Sequence, residues 1–190
     1  MKKILSALAL VICTACSFSV ANASPYFTTS YGYQLDLENT KKHQEQKYDY
    51  SQNDHGFVSA AVGLPVSSNL LAQVEYSKMK ASANKATSET TQENISLVGI
   101  LPISRIYNTV DLYALGGAGY TSLKAENIKG KDESAIAILG AGLEYQVNPT
   151  ISLLSEIRTN YDVNINTWSP SANVGLKINI DGVINSALGR

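Results

Sequence analysis

Cysteine is almost missing from this 190-residue chain. Both copies, Cys13 and Cys16, fall in an N-terminal stretch that reads as a cleavable leader. A chain cut after that stretch has neither a disulfide nor a thiolate metal site to hold it together. Histidine is as scarce. His43 and His55 are two ligands short of a zinc site. No apolar run approaches the roughly 20 residues that a membrane-crossing helix needs. A basic surplus is missing too: Lys and Arg number 15 against 16 Asp and Glu. That balance gives no footprint for nucleic acid, which calls for a basic stripe.

What is present begins with an export signal. Lys2 and Lys3 form its charged end, residues 4–13 its apolar segment, and Ala21-Asn22-Ala23 the small residues a signal peptidase reads. The expected cut follows Ala23, so residues 1–23 are a leader, 24–180 the folded domain and 181–190 a short tail. Cys13-Thr14-Ala15-Cys16 offers a second possibility, a lipoprotein-type cut leaving a lipidated Cys16, although Cys is atypical at the first position of that box. Removing Lys2 and Lys3 leaves 13 basic and 16 acidic residues, a net charge of −3.

The domain itself is patterned with period two. In residues 135–147, Ala135, Ala137, Leu139, Ala141, Leu143, Tyr145 and Val147 share one strand face, and none is charged. Ile136, Ile138, Gly140, Gly142, Glu144 and Gln146 share the other. Similar runs occur near residues 26–37, 56–64, 70–79, 94–101, 109–123, 150–162 and 171–180, which predicts eight strands. The run at 109–123 is ambiguous, because Tyr113 and Leu115 lie opposite Leu112, Ala114, Ala118 and Tyr120. Long polar connections at 38–55, 79–93, 124–134 and 162–170 alternate with short ones at 65–69, 102–108 and 148–149. Pro65, Pro102 and Pro149 all fall in the short set, where a missing N–H costs no ladder bond. The segment 78–93 (KMKASANKATSETTQE) reads as a mobile loop tip.

Alternation alone also fits a soluble barrel or sandwich, with the apolar face inward. A barrel in lipid is favoured by a polar face rich in Gly, Ser, Asn and Gln but poor in Lys. Tyrosines near strand ends (Tyr26, Tyr76, Tyr120, Tyr145 and Tyr161) suit an aromatic girdle at the membrane–water boundary. The expected fold is an all-β, eight-stranded antiparallel up-and-down transmembrane barrel, with short periplasmic turns and longer extracellular loops. Its lipid-facing residues would include Leu97, Leu139, Leu143, Leu153, Ile157, Val174, Leu176 and Ile178, with Leu139 and Leu153 both near mid-membrane.

Three stretches carry a resemblance: VDLYALGGAGY (110–120), GAGLEYQVNPTISLLSEIRTNY (140–161) and NVGLKINI (173–180). They resemble the OmpA/OmpX-like outer membrane protein β-barrel superfamily, with its Gly-rich fifth strand, G-x-G-x-x-Y sixth strand, Asn-Pro turn and inward Glu and Arg on the seventh. The resemblance implies an eight-stranded barrel in a Gram-negative outer membrane. It implies no single activity, because the family serves anchoring, adhesion, host interaction and, rarely, catalysis. This chain departs from the pattern at its last strand, which ends at Ile180 rather than on an aromatic residue, ahead of a ten-residue tail too short for a peptidoglycan-binding domain.

Glu75, Glu144, Glu156, Arg158 and Lys177 fall on the polar face, with Asp111 near the lower rim. Eight strands leave an interior only wide enough for side chains. These charges should therefore pair, with Glu156 facing Arg158 or Lys177, in a network that closes the lumen. A narrow ion path lined by the excess carboxylates is the alternative. A lipid A-modifying enzyme would need a Ser–His–acid set. His43 and His55 lie in or beside the first long loop without such a motif, and read as solvated. The reading is a monomeric, non-catalytic barrel without cofactor or metal. Its partners would be outer-membrane lipid and lipopolysaccharide, the barrel-insertion machinery, and a host or surface ligand at the loops, of which residues 38–54 (ENTKKHQEQKYDYSQND) are the longest.

Overall fold

The computed structural model describes residues 24–35, 56–82, 89–107, 109–125, 132–164 and 166–181. Eight strands follow in chain order: β1 (Tyr26–Gln34), β2 (Gly56–Ser67), β3 (Leu70–Ser82), β4 (Glu89–Ile106), β5 (Val110–Ala125), β6 (Asp132–Gln146), β7 (Ile151–Asp162) and β8 (Thr167–Asn179). Each pairs antiparallel with the next, and β1 pairs with β8, closing the sheet into a barrel. Closure leaves no open sheet edge, a condition for any sheet that sits in lipid.

Side-chain parity follows the sequence. Along β6 and into the turn, Ala135 to Val147 at every second position point outward and are exposed, while Ile136, Ile138 and Gly142 are buried inside. The ambiguity of β5 resolves the same way: Tyr113 and Leu115 are buried in the lumen, and Leu112, Ala114, Ala118 and Tyr120 take the outer face.

Several of the expected connections are corrected. Residues 78–82 and 89–93 are not a loop tip but paired strand, in register from Lys78↔Glu93 to Ser82↔Glu89. Met79 is buried there. The connection shrinks to 83–88, and those after β5 and β7 shrink to 126–131 and 163–166. Polar composition was mistaken for loop because, beyond a lipid belt, both faces of a barrel wall meet polar surroundings. Nor do Pro65 and Pro102 lie in turns. Both are paired, with Leu71 and Tyr113, and a register shift follows each. A β-bulge absorbs the missing donor. Only Pro149 sits in a turn, where Asn148 Oδ1 accepts from the N–H groups of Thr150 and Ile151 at 2.8 Å each, an Asx turn.

The first and last of the described residues meet beside the β1–β8 seam. Ile180 N–H donates to Pro25 O at 2.9 Å, and Ser24 Oγ to Asp181 Oδ2 at 2.5 Å. The leader 1–23, the first long loop with His43 and His55, and the tail beyond Asp181 lie outside the described residues.

Candidate functional site in the barrel lumen

Glycine prepares the lumen. A Cβ on Gly63 would lie 2.0 Å from the Tyr26 ring, and one on Gly142 would lie 2.5 Å from the Tyr113 ring. Each inward tyrosine lies flat over a neighbouring strand only because that strand has no side chain there.

Between the tyrosines runs a continuous chain of polar contacts. Arg158 on β7 reaches across to β3 on the opposite wall. Its Nη1 donates to both oxygens of Glu75, at 2.9 and 2.7 Å. Its Nε donates to Glu156 Oε2 at 2.7 Å. Tyr113 hydroxyl donates to the other Glu156 oxygen at 2.7 Å. Gln73 Nε2 donates to Glu75 at 3.2 Å, and Gln73 Oε1 accepts from the Tyr26 hydroxyl at 3.3 Å. Lys177 Nζ stands 4.6 Å from the centre of the Tyr26 ring, a cation–π distance, and donates to Glu144 at 2.8 Å. Arg158 is only 7 % exposed. A cation so desolvated persists because two carboxylates and their donors surround it.

An apolar cluster fills the wall beside this chain: Val98, Ile100, Tyr113, Leu115, Ile136 and Ile138, with Leu71 against it. The charged network thus shares the lumen with an apolar cluster. Part of the packing is apolar, because the interior of eight strands is only wide enough for side chains. Among the described residues, no cluster of three or more His, Cys, Asp or Glu side chains is placed to hold a metal.

Residues 5–179 match the model of the outer membrane protein beta-barrel domain. The chain belongs to this family. Its relatives include outer membrane porin F of Pseudomonas fluorescens, 34% identical over 73 residues (37% of this chain and 22% of that protein). Outer membrane protein Omp38 of Acinetobacter baumannii is 24% identical over 150 residues, 70% of this chain and 41% of that protein. The chain thus spans about two-fifths or less of the curated relatives it matches. Among solved structures, Neisserial surface protein A aligns with 82% of this chain and 97% of its own at 15% identity, with a TM-score of 0.61. That likeness is one of fold. As a member of the outer membrane β-barrel family, the chain is a bacterial outer-membrane protein.

For this barrel the structure settles several partnerships left open by the sequence. Glu156 pairs with Arg158, and Lys177 pairs with Glu144. Asp111 stands apart from them at the turn-side rim, where Arg105 grips it through two bonds of 2.6 and 2.8 Å. Arg105 escaped the sequence reading because the bulge after Pro102 flips side-chain parity. Tyr113 and Gln73 also join the network, and as neutral residues they carry no charge pattern that would mark them in the sequence.

Tyr26 is a correction. Only 2 % exposed, it belongs to the lumen and not to a girdle. Its parity matches buried Thr28, not exposed Tyr31, which was legible in the sequence. Tyr76, Tyr120 and Tyr145 are exposed on the outside, and outward Tyr161 packs on Trp168 at 4.8 Å. Leu97, Leu139, Leu143, Leu153, Ile157, Val174 and Leu176 are all exposed outside, and Ile178 shares their face half-buried. Leu139 and Leu153 do not share a depth, however. Leu153 pairs with Tyr145, six residues along β6 from Leu139, towards the turn rim.

Proposed function

We propose that this barrel is a non-catalytic structural or surface-interaction protein of the outer membrane. Its lumen is closed to bulk water, and its loops face outward. The observation that carries this reading is Arg158, a buried cation bridging opposite walls to Glu75 and Glu156. Opening a wide pore would strand those carboxylates. The outward apolar set headed by Leu139 and Ile157 meets acyl chains. Tyr76, Tyr120 and Tyr161 lie near the loop-side boundary of that belt, and Tyr145 near the other. A monomer, delivered by the export signal and inserted by the barrel machinery, completes the picture. The name of Neisserial surface protein A is consistent with exposure at the cell surface.

Conductance tests it. The full chain in a planar bilayer should give no porin-sized current. A stable, large unitary current in most insertions would overturn the closed lumen.

A narrow gated ion path is the second reading, favoured by two observations. Glu75, Glu144 and Glu156 outnumber Arg158 and Lys177 in the lumen. Asn173 is buried there with neither amide atom bonded to protein, as a residue lining a hydrated path would be. Small, rare openings that change with Glu144→Gln would favour it.

A further inference from the structure

The turn end of the barrel is nearly free of charge. Among the described residues at 24–27, 65–70, 101–107, 109–111, 145–151 and 178–181, only Arg105, Asp111 and Asp181 are charged. Arg105 and Asp111 hold each other, and Asp181 accepts from Ser24. The loop end of β3 to β6, by contrast, carries Lys78, Glu93, Lys124 and Glu133. What the turn end presents instead is carbon. Val66 and Leu70 at the β2–β3 turn, Val147 at the β6–β7 turn and Ile180 at the seam are all exposed. The β4–β5 hairpin goes furthest. Ile103 is 58 % exposed, Ile106 joins it, and Tyr107 at the tip is 90 % exposed.

Local structure sets these side chains apart from the packed wall. Residues 101–107 are exposed in succession, so the alternation of the barrel stops there. The bulge between Pro102 and Ser104 leaves Ile103 unpaired. Tyr107 has φ 53°, a conformation that suits glycine or asparagine and strains a bulky residue. Its ring buries too little against the barrel to offset that strain. The turn is nevertheless firmly placed. Thr109 N–H donates to Ile106 O at 3.4 Å, and Gln146 N–H to Thr109 O at 2.9 Å. Ile106 pairs with Val110, and Val110 with Tyr145. The tip therefore lies within a residue or two of the cross-strand row of Tyr145, at the turn-side boundary of the apolar belt. Two residues advance a strand by about 7 Å at most. The headgroup layers add about 5–8 Å to each side of the hydrocarbon. Ile106 and Tyr107 thus fall within such a layer, continuous with outward Leu101 and Leu143.

We infer that the β4–β5 turn is a contact site for zwitterionic phospholipid of the inner leaflet, with Ile103 and Ile106 against the first acyl carbons and Tyr107 at the glycerol-ester level. The inference rests on the reading above that the apolar belt meets acyl chains and the loops face outward. A ring with an apolar body and a polar tip suits the ester level. The exposed carbon recurs at every described turn and at the seam, a ring rather than a patch. A surrounding lipid layer covers such a ring, whereas one protein partner covers a single side. The zwitterionic headgroup follows from the missing charge. With Arg105 committed to Asp111, the described rim offers no free cation to an anionic lipid.

The test reads the depth of a single tryptophan in the full chain, folded into phosphatidylcholine vesicles. Trp168→Phe removes the only native tryptophan, and Tyr107→Trp or Leu139→Trp supplies the reporter. If Trp168→Phe does not fold, the same quantity is the difference in quenching between Tyr107→Trp and wild type. Tyr107→Trp should emit to the blue of free tryptophan. It should lose most of its emission to lipids brominated near the ester end of the chains, and much less to lipids brominated at mid-chain or to aqueous iodide. Leu139→Trp should show the reverse order of the two brominated lipids. Molar salt, or admixture of phosphatidylglycerol, should leave the quenching of Tyr107→Trp unchanged. Quenching by iodide instead of bromine would place the turn in water and overturn the contact. Protection from both quenchers would mean that protein covers the turn, either a second copy or another chain, and would overturn it too. Quenching that needs phosphatidylglycerol would overturn the zwitterionic assignment. Leu139→Trp separates the two levels of argument. If mid-chain bromines quench it while Tyr107→Trp stays bright, the turn contact alone fails. If they do not, the membrane reading fails and the contact with it.

Discussion

The two halves of the lumen differ sharply although both lie on the inward face of the same sheet. On β4, β5 and β6 the inner wall carries the apolar cluster Val98, Ile100, Leu115, Ile136 and Ile138 with the ring of Tyr113, flanked by Ser96, Thr121, Ser134 and Glu144. On β7, β8 and β1–β3 it is mainly polar, with Glu156, Arg158, Asn173, Lys177, Thr28, Ser59, Gln73 and Glu75 beside Tyr26, Ala61 and Met79. On the proposed closed-lumen reading, inward in so small a barrel means packed rather than wet. On that reading the apolar cluster denies water to the charged half, and the ions there must satisfy one another. Tyr113 serves both sides, its ring in the apolar cluster and its hydroxyl on Glu156.

The largest test of this contrast removes its centre. Arg158→Met leaves Glu75 and Glu156 buried without their cation, and should cost about 3–5 kcal/mol. Denaturant unfolding from lipid vesicles measures it. A loss below about 1 kcal/mol would mean that water reaches the carboxylates and that the halves are not sealed from each other.

Next comes the outside of the wall. Leu139, mid-strand on β6 and 55 % exposed, should lose about 2–4 kcal/mol on Leu139→Arg, while Leu153→Arg near the rim should lose only about 0–1 kcal/mol. Equal losses at both positions would contradict the difference in depth.

A paired exchange probes each half with the other's chemistry. Val98→Asn puts an amide into the apolar half and should cost about 1–3 kcal/mol. Asn173→Val should be close to neutral by the same measurement, because no protein hydrogen bond is lost. Similar costs for the two would erase the distinction between the halves.

The smallest effect is expected at the rim. The side chain of Arg105 is 58 % exposed, and Arg105→Gln should cost under about 1 kcal/mol despite its two short bonds to Asp111. A cost matching that of Arg158→Met would show the rim pair to be as sealed as the lumen.

Much of this architecture was legible in the sequence. A period of two assigned Leu139, Leu153, Ile157 and Val174 to one face and Glu75, Glu156 and Arg158 to the other, because successive strand side chains must alternate. The same rule, applied strictly, would have placed Tyr26 inside. It failed where the chain breaks period. The bulges after Pro65 and Pro102 shift register, and Arg105 turns inward as a result. Strand ends at 82 and 89 were hidden because polar sequence does not distinguish a loop from a wall standing outside lipid.

The sequence by itself determined the strand number, the closed antiparallel order and the sidedness of nearly every residue, because these follow from local alternation and from where turns are cheap. Only the tertiary structure decided who meets whom across the lumen. Glu75 and Arg158 are 83 residues apart in the chain, and β3 and β7 face each other only once eight strands have closed. The choice of Arg158 for Glu156, and of Lys177 for Glu144, is set by barrel geometry and by the glycines that let two tyrosine rings lie between them.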